Sequence, residues 1–190
     1  MTRTISGHSA TPLTELGRVQ AENLGNTLLG ISPSIDCVYS SDLARASETA
    51  EIICRIIGIN KIHYDARLRE GNAGIFTGRR VIDLTVEEKK IFDNIIIDLD
   101  SRIPQGESAN EQYQRTRDAF LEIIENQPEE STVLIVGHGG TLFHILYGVL
   151  ELIPYKMDDW FGNCQLQIIT RTSDDDPWKL TMFNNKTLKT

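Results

Sequence analysis

The chain has 190 residues, with 40% hydrophobic and 24% charged side chains, and its 19 basic against 27 acidic residues give a formal net charge of −8 at pH 7. This composition is typical of a globular protein, and the length predicts one domain over residues 1–190. The acidic balance argues against general affinity for nucleic acid or for an anionic membrane, because both need a basic face. The apolar runs are shorter than the ~20 residues of a membrane-spanning helix, and we recognise no secretory signal, so the expected compartment is the cytoplasm.

The first part of the chain is predicted to form a helix, a strand and a second helix. A threonine–proline pair at residues 11–12 is typical of a helix start and predicts a helix over residues 12–29. Residues 35–39 are a short apolar run, which favours a buried strand. The polar turn at residues 40–42 can cap the second helix, which we expect to end at Gly58.

The middle of the chain combines a short strand, a loop and two helices. Residues 61–64 are predicted to be a strand, and the glycines of residues 68–78 predict an irregular loop. A helix is expected within residues 81–99. Ser108 and Glu111 have the spacing of a capping box, which predicts the start of a further amphipathic helix.

The last part of the chain begins with the most apolar segment. Residues 132–136 lack a polar face, which predicts a strand buried on both sides in a parallel sheet. They lead into Gly-His-Gly-Gly at residues 137–140 and then into a helix over about residues 141–150. Residues 165–170 and 179–183 are predicted to be a closing pair of strands. The alternation predicts an α/β fold, a three-layer sandwich with a mostly parallel central sheet.

Two strand-to-helix turns, at residues 40–45 and 137–140, would bring polar groups to one edge of that sheet, where ligands of such folds bind. The glycines around His138 allow close backbone approach, and the free N–H groups of the following helix favour an anion. Arg45 can add a bidentate contact to phosphate oxygens. Glu70 supplies a carboxylate for proton transfer. Together these residue types suit phosphate-ester chemistry.

Each of these residues also has a simpler interpretation. Arg45 alone is more often a solvated residue on a helix surface. Glu70 lies beside Arg67 and Arg69, which is typical of a surface charge cluster. The sequence at residues 137–140 occurs about as often in a tight turn as in a site.

The remaining metal-binding residue types give no pattern of a metal site. Three widely spaced cysteines, an odd number, predict neither a disulfide framework nor a zinc site, and these are Cys37, Cys54 and Cys164. The acidic run at residues 174–176 predicts a hairpin loop, because calcium loops need regular alternation and a later glutamate. Three histidines are expected to have structural roles in a loop, a strand and a helix face, namely His8, His63 and His144.

Five segments, in this order, closely resemble the histidine phosphatase superfamily, also called phosphoglycerate mutase-like. The resemblance extends from about Gly7 to Ile145. The five segments are TPLTELG at residues 11–17, YSSDLARASETA at 39–50, RLRE at 67–70 with Gly74 and Gly78, GES at 106–108, and VGHGG at 136–140.

The resemblance implies a phosphoglycerate mutase-like fold and a small phosphorylated substrate, with no cofactor and no metal. A histidine would attack phosphorus, and the phosphohistidine would then be hydrolysed or would return phosphate to substrate in the mutases. Glu70 would protonate the leaving oxygen and afterwards activate water. Arg45 and His138 would stabilise the phosphoryl oxygens. The residues expected against substrate are Arg45, His138, Gly139, Ser6 and Gly7.

The sequence differs from the family pattern before Gly7. The family begins with a strand that ends in Arg-His-Gly, whose histidine is the nucleophile, and an asparagine follows. Only six residues precede Gly7 here, without a histidine or a strand, and His8 lies in the later segment. The strand at residues 132–136 would also lose a neighbour. We therefore expect that a natural N-terminal stretch is missing and that these 190 residues alone are inactive.

Three functions remain open from the sequence. The first is a phosphomonoesterase, favoured over a mutase because residues 78–106 leave little room to exclude water. The second is a phosphoester-binding protein that has lost the nucleophile. The third, an unrelated nucleotide-binding domain, is disfavoured because neither G-x-G-x-x-G nor a P-loop occurs. Selectivity is expected to come from residues 78–106 and 155–162, whereas the substrate and the oligomeric state are not predicted.

Overall fold

The computed structural model describes residues 4–30, 34–152, 161–173 and 175–188. Within these residues the strands form two three-stranded sheets. The first is parallel, in the order β2-β1-β3, with β1 at Cys37–Ser40, β2 at His63–Tyr64 and β3 at Val133–Val136. The second is antiparallel, in the order β4-β5-β6, with β4 at Ile168–Thr170, β5 at Lys179–Phe183 and β6 at Lys186–Thr187.

Five α-helices occur in the described residues. They are α1 (Glu15–Leu29), α2 (Ala44–Ile57), α3 (Val86–Ile97), α4 (Ala109–Glu125) and the short α5 (Gly139–Phe143). A π-helical segment, His144–Val149, continues α5. In the described part of the chain, no helix is long and apolar enough to cross a membrane.

Helices cover both faces of the parallel sheet. On one face, Ala46 and Ala50 of α2 pack with Val136 of β3. On the other face, Ala119 and Ile123 of α4 form a core cluster against which strand residues pack. These contacts confirm the predicted α/β sandwich of three layers.

Two helices begin at capping boxes, of which the sequence predicted the one at Ser108 and Glu111. Ser108 accepts a hydrogen bond from Glu111 N–H, and the Glu111 side chain accepts one from Ser108 N–H, so α4 begins at Ala109. Thr85 and Glu88 make the same reciprocal pair at the start of α3. Each box satisfies N–H groups that a helix start otherwise leaves without a partner.

The predicted start of the first helix is wrong by three residues. Thr14, rather than the threonine of residues 11–12, caps α1 by accepting a hydrogen bond from Gly17 N–H. The preceding Leu13 N–H donates to the carboxylate of Glu48 on α2 at 2.9 Å, which keeps this residue out of the helix. A tertiary contact therefore overrides the helix-start signal of the threonine–proline pair.

The last third of the chain differs from the prediction in three ways. Strand β3 is only half-buried at Val133–Ile135, because its second edge has no strand partner among the described residues. The helix after it begins at Gly139 rather than residue 141, and it becomes π-helical from His144. Strand β6 was not predicted. Residue 174 of the predicted hairpin loop and most of residues 155–162 lie outside the described residues.

The parallel register brings three strand ends together. Ser40 of β1 lies opposite both Tyr64 of β2 and Val136 of β3. Ser41 and Gly137 therefore leave the sheet at the same edge. The candidate site residues follow these strand ends.

Candidate active site

His138 lies two residues after the end of β3 and points into the protein. The residue is 8% exposed, and its Nε2 lies 2.8 Å from the hydroxyl of Ser41, which follows β1. Burial, together with the positive charges of Arg45 and Arg115, lowers the pKa of His138 to about 3. The imidazole is therefore neutral near pH 7 when no ligand is bound.

Arg45 lies in the first turn of α2 and holds the segment that precedes α1. Its Nη2 donates to the carbonyl of Gly7 at 2.9 Å, and its Nη1 donates to the carbonyl of Ser9 at 3.4 Å. A guanidinium has five N–H donors, so Arg45 can make these contacts and still donate to a ligand. Burial lowers the pKa of Arg45, and the nearby charge of Glu70 opposes this effect.

Gly7 has a conformation that glycine adopts readily. Its φ is +44°, and a Cβ at this position would lie 2.8 Å from the hydroxyl oxygen of Thr77. In this closely packed position, the Gly7 carbonyl accepts the hydrogen bond from Arg45. Ser6, beside it, is exposed. The expected substrate residues Ser6, Gly7 and Gly139 all line the cavity that contains Arg45 and His138.

Glu70 is hydrogen-bonded to the turn that carries His138. Its Oε2 accepts from Gly140 N–H at 3.3 Å. Its Oε1 accepts from Gly71 N–H at 2.8 Å and from the Gln112 side chain at 3.2 Å. A Cβ on Gly140 would collide with the Glu70 carboxylate, so this contact requires glycine.

The surface charge cluster exists, but Glu70 does not belong to it. Arg67 pairs with Asp65 and Glu122, each at 2.7 Å. Arg69 pairs with Asp42 through contacts of 2.6 and 2.5 Å. The simpler interpretation therefore fits these two arginines and not the glutamate that follows them.

Two residues that sequence reasoning missed support the backbone of Glu70. Arg115 of α4 donates to the carbonyls of Arg67, Arg69 and Glu70 at 2.7, 2.8 and 2.9 Å. Its partner Glu107 accepts from Arg115 at 2.6 and 3.0 Å and from Asn72 N–H at 2.7 Å. Burial alone would raise the pKa of Glu107, but these hydrogen bonds lower it below its ordinary value.

The three histidines given structural roles divide into two groups. His63 stacks on Tyr39 in the sheet, and His144 packs against Tyr113 of α4. His8 differs from the expectation, because its Nε2 lies 2.7 Å from the Glu70 carbonyl and so joins the site. A carbonyl can only accept, so His8 donates this bond. His8 is next to Gly7 in sequence, and this adjacency was the only signal for it.

A cavity of about 2870 Å³ extends from the site between the two sheets. It is lined by Arg45, Glu70 and His138, by Leu134 and Ile135 of β3, and by residues of β4 and β5. Among the described residues β3 has one strand partner, β1, and we call the space beside its second edge the gap.

No group of three or more His, Cys, Asp or Glu residues in the described ranges has the arrangement of a metal site. The three cysteines are free thiols. The site combines a neutral imidazole, a partly buried guanidinium and a carboxylate at one edge of a sheet. Such a set can bind and polarise a phosphoryl group and transfer a proton.

Comparison with solved structures supports the same architecture. A mycobacterial glucosyl-3-phosphoglycerate phosphatase is 25% identical, with a TM-score of 0.78, over 97% of this chain and 93% of that one. The alpha-ribazole phosphatase from Shigella flexneri is 27% identical, with a TM-score of 0.79, over 98% of this chain and 91% of that one.

Comparison of sequences identifies the family. The probable phosphoglycerate mutase GpmB of Erwinia tasmaniensis is 38% identical over 151 residues, which are 79% of this chain and 68% of the relative. The model of the histidine phosphatase superfamily (branch 1) matches residues 1–186. The relatives with these names include both phosphatases and mutases. The predicted motifs, the three-layer fold and these matches agree with one another, and the chain belongs to the histidine phosphatase superfamily.

Proposed function

We propose that the protein is a phosphomonoester hydrolase that acts through a phosphohistidine intermediate. One observation carries the proposal: the Glu70 carboxylate is hydrogen-bonded to Gly140 N–H, two residues after His138, and its charge acts on Arg45. A proton donor thus lies beside two groups suited to hold a phosphoryl group. The activities in the names of the relatives are consistent with this chemistry.

In the proposed reaction, Arg45 and His138 hold the phosphoryl oxygens, with the backbone around Gly139 close by. A nucleophilic histidine nitrogen forms a bond to phosphorus while the bond to the ester oxygen breaks, and Glu70 gives its proton to that oxygen. The Glu70 carboxylate then takes a proton from water, which attacks phosphorus. Inorganic phosphate and the free histidine result, and Glu70 is protonated again.

The nucleophile in this proposal belongs to an additional strand beside β3. The cavity beside β3, which has one strand partner among the described residues, supports this position, because a strand there would end near His138 and Glu70. His8 does not fit the nucleophile's role, because its Nε2 is engaged with the Glu70 carbonyl. Glu70, Arg45 and His138 can assist an attacking group but do not replace it.

The alternative of phosphoryl transfer, as in a mutase, is less favoured. A mutase must keep water from the phosphohistidine. Residues 78–106 provide one helix, α3, and a 3₁₀ turn at Val81–Asp83 as possible cover. A second alternative is a phosphoester-binding protein without turnover, which would use Arg45 and His138 alone.

The test compares the 190-residue chain with the protein isolated from its source, whose N-terminus is determined by intact mass. For the isolated protein we expect turnover of p-nitrophenyl phosphate that is lost in Glu70→Gln, and an upstream Arg-His-Gly. For the 190-residue chain we expect negligible turnover. Turnover by that chain that depends on Glu70 would contradict an upstream nucleophile. If the isolated protein binds phosphate but does not turn over substrate, the alternative of a phosphoester-binding protein would be supported.

The same assay examines metal dependence. The proposed steps use only protein groups and water, so EDTA should leave turnover unchanged. Loss of turnover with EDTA, restored by a divalent cation, would contradict the scheme. The cytoplasmic location and the one-domain organisation stay predictions.

A further inference from the structure

The cavity continues past Glu70 into a region that we call the apolar wall, defined by Ala73, Val81, Phe92, Ile95 and Ile103. Ala73 and Ile103 are buried, at 6% and 4% exposure. Phe92 and Ile95 of α3 are partly buried and pack against the same core cluster. The same cavity is also lined by the uncharged polar side chains of Asn72, Ser108 and Gln112 and by Glu107.

The position of Glu70 determines which part of a substrate lies against the apolar wall. Under the proposed function, Glu70 protonates the leaving oxygen, so the alcohol portion of the ester lies on the Glu70 side of the phosphoryl group. The apolar wall begins three residues after Glu70, at Ala73, and lines the same cavity. The alcohol portion would therefore contact the partly buried Val81, Phe92 and Ile95.

The charges around the wall disfavour an anionic alcohol portion. Among the described residues that line this end of the cavity, the charged groups beyond Arg45 are the carboxylates of Glu70 and Glu107. The arginines of the surrounding segment do not line it and have partners elsewhere: Arg79 pairs with Glu88, Arg80 with Asp83 and Arg102 with Glu111. Glu107 is paired with Arg115, and Glu70 carries a proton when it acts as the donor. A carboxylate on the substrate would therefore lose its hydration here without gaining a cation as partner among the described residues that line the wall.

We propose, on the basis of the proposed function, that the substrate is a phosphate monoester of a neutral and largely apolar alcohol or phenol. Esters that carry a carboxylate on the alcohol portion, as phosphoglycerates do, are disfavoured. The apolar wall binds the body of the alcohol, and selectivity arises from the absence of a cation among its described residues.

The test uses three ligands that share one phosphoryl group: phenyl phosphate, 4-carbamoylphenyl phosphate and 4-carboxyphenyl phosphate. The last two have nearly the same shape and differ in charge. Calorimetric titration of the 190-residue chain, in which hydrolysis is expected to be negligible, gives the dissociation constants. We expect the neutral amide to bind at least about tenfold more tightly than the carboxylate. Equal or tighter binding of the carboxylate would overturn the proposal.

A matched pair of variants on α3 tests the wall itself. Ile95→Lys adds a cation to the wall, and we expect it to reduce the preference for the amide to less than about threefold. Ile97→Lys adds the same cation two residues away, where the side chain is 82% exposed, and should keep the wild-type preference. An unchanged preference in a folded Ile95→Lys variant would contradict the apolar wall as the binding region. If that variant does not fold, the comparison of the wild-type ligands still decides.

Arg45→Met separates this inference from the proposed function. It should weaken all three ligands together, because they share the phosphoryl group. If Arg45→Met leaves ligand binding unchanged, or if no ligand binds, the proposed phosphoryl site is contradicted, and so is the inference that rests on it. Binding that depends on Arg45 but does not discriminate between amide and carboxylate would overturn the selectivity alone.

Discussion

The Arg115 guanidinium contacts the Glu107 carboxylate at 2.6 and 3.0 Å, with both side chains largely withdrawn from solvent. The same guanidinium donates to three backbone carbonyls of the segment that ends at Glu70. One ion pair therefore links α4 to the backbone of the proposed proton donor.

Arg115→Ala should destabilise the protein, because it leaves Glu107 without its partner and removes one donor from each of three carbonyls. We expect a loss of ~3 kcal/mol in the free energy of unfolding, measured by urea denaturation. Arg117→Ala is the matched control on the same helix. Arg117 pairs with its neighbour Asp118 at 3.1 Å and its side chain is 44% exposed, so its loss should be less than ~0.5 kcal/mol. Equal effects of the two substitutions would contradict the assigned role.

Gly140→Ala should displace the Glu70 carboxylate, because the added Cβ would overlap it. In the catalytically competent protein we expect turnover of a phosphate monoester to fall by ~100-fold, the scale of a misplaced catalytic group. Gly137→Ala is the control, since its Cβ would meet Thr141 at an ordinary 3.5 Å. Full activity of Gly140→Ala would argue against this position of Glu70 during the reaction.

Stability should fall in acid because of two buried histidines. Burial is the main cause that lowers the pKa of His138 to about 3 and of His144 to about 4, from an ordinary value of 6.5. Between its lowered pKa and pH 6.5, each histidine binds more protons in the unfolded chain than in the folded chain. The stabilisation present above pH 6.5 is therefore lost as the pH falls. From pH 6.5 to 4, each histidine should account for ~3 kcal/mol at most.

Urea denaturation of wild type and His144→Gln over this pH range measures that contribution. His144 packs against Tyr113 and Phe143 and has no part in the proposed reaction. The variant should show a shallower decrease in stability with falling pH. An identical slope in both proteins would mean that His144 is accessible to protons in the folded state.

Phosphate should raise the pKa of His138. The free imidazole is neutral near pH 7, but a bound phosphoryl dianion would favour the imidazolium. We expect NMR titration of the ring to show a higher pKa with inorganic phosphate than with chloride at equal ionic strength. No difference between the two anions would indicate that His138 does not contact the phosphoryl group.

Local sequence signals predicted most of the parallel sheet and of the site, because strand ends, capping boxes and the glycines around His138 are short-range features. Arg45, Glu70 and His138 could all be named in this way. Arg115 and Gln112 could not, because they reach Glu70 from α4, more than forty residues along the chain. The start of α1 was wrong for a similar reason: its determinant is the contact between Leu13 and Glu48 of α2.

The second edge of β3, which has no strand partner in the part of the chain that the structure describes, also affects how the chain behaves in solution. An open strand edge presents N–H and C=O groups that pair readily with another chain. In the 190-residue chain we expect this edge to promote association that grows with protein concentration, whereas a strand held beside β3 would suppress it. The tendency of the protein to aggregate would thus report whether the gap that leads to the active site is filled.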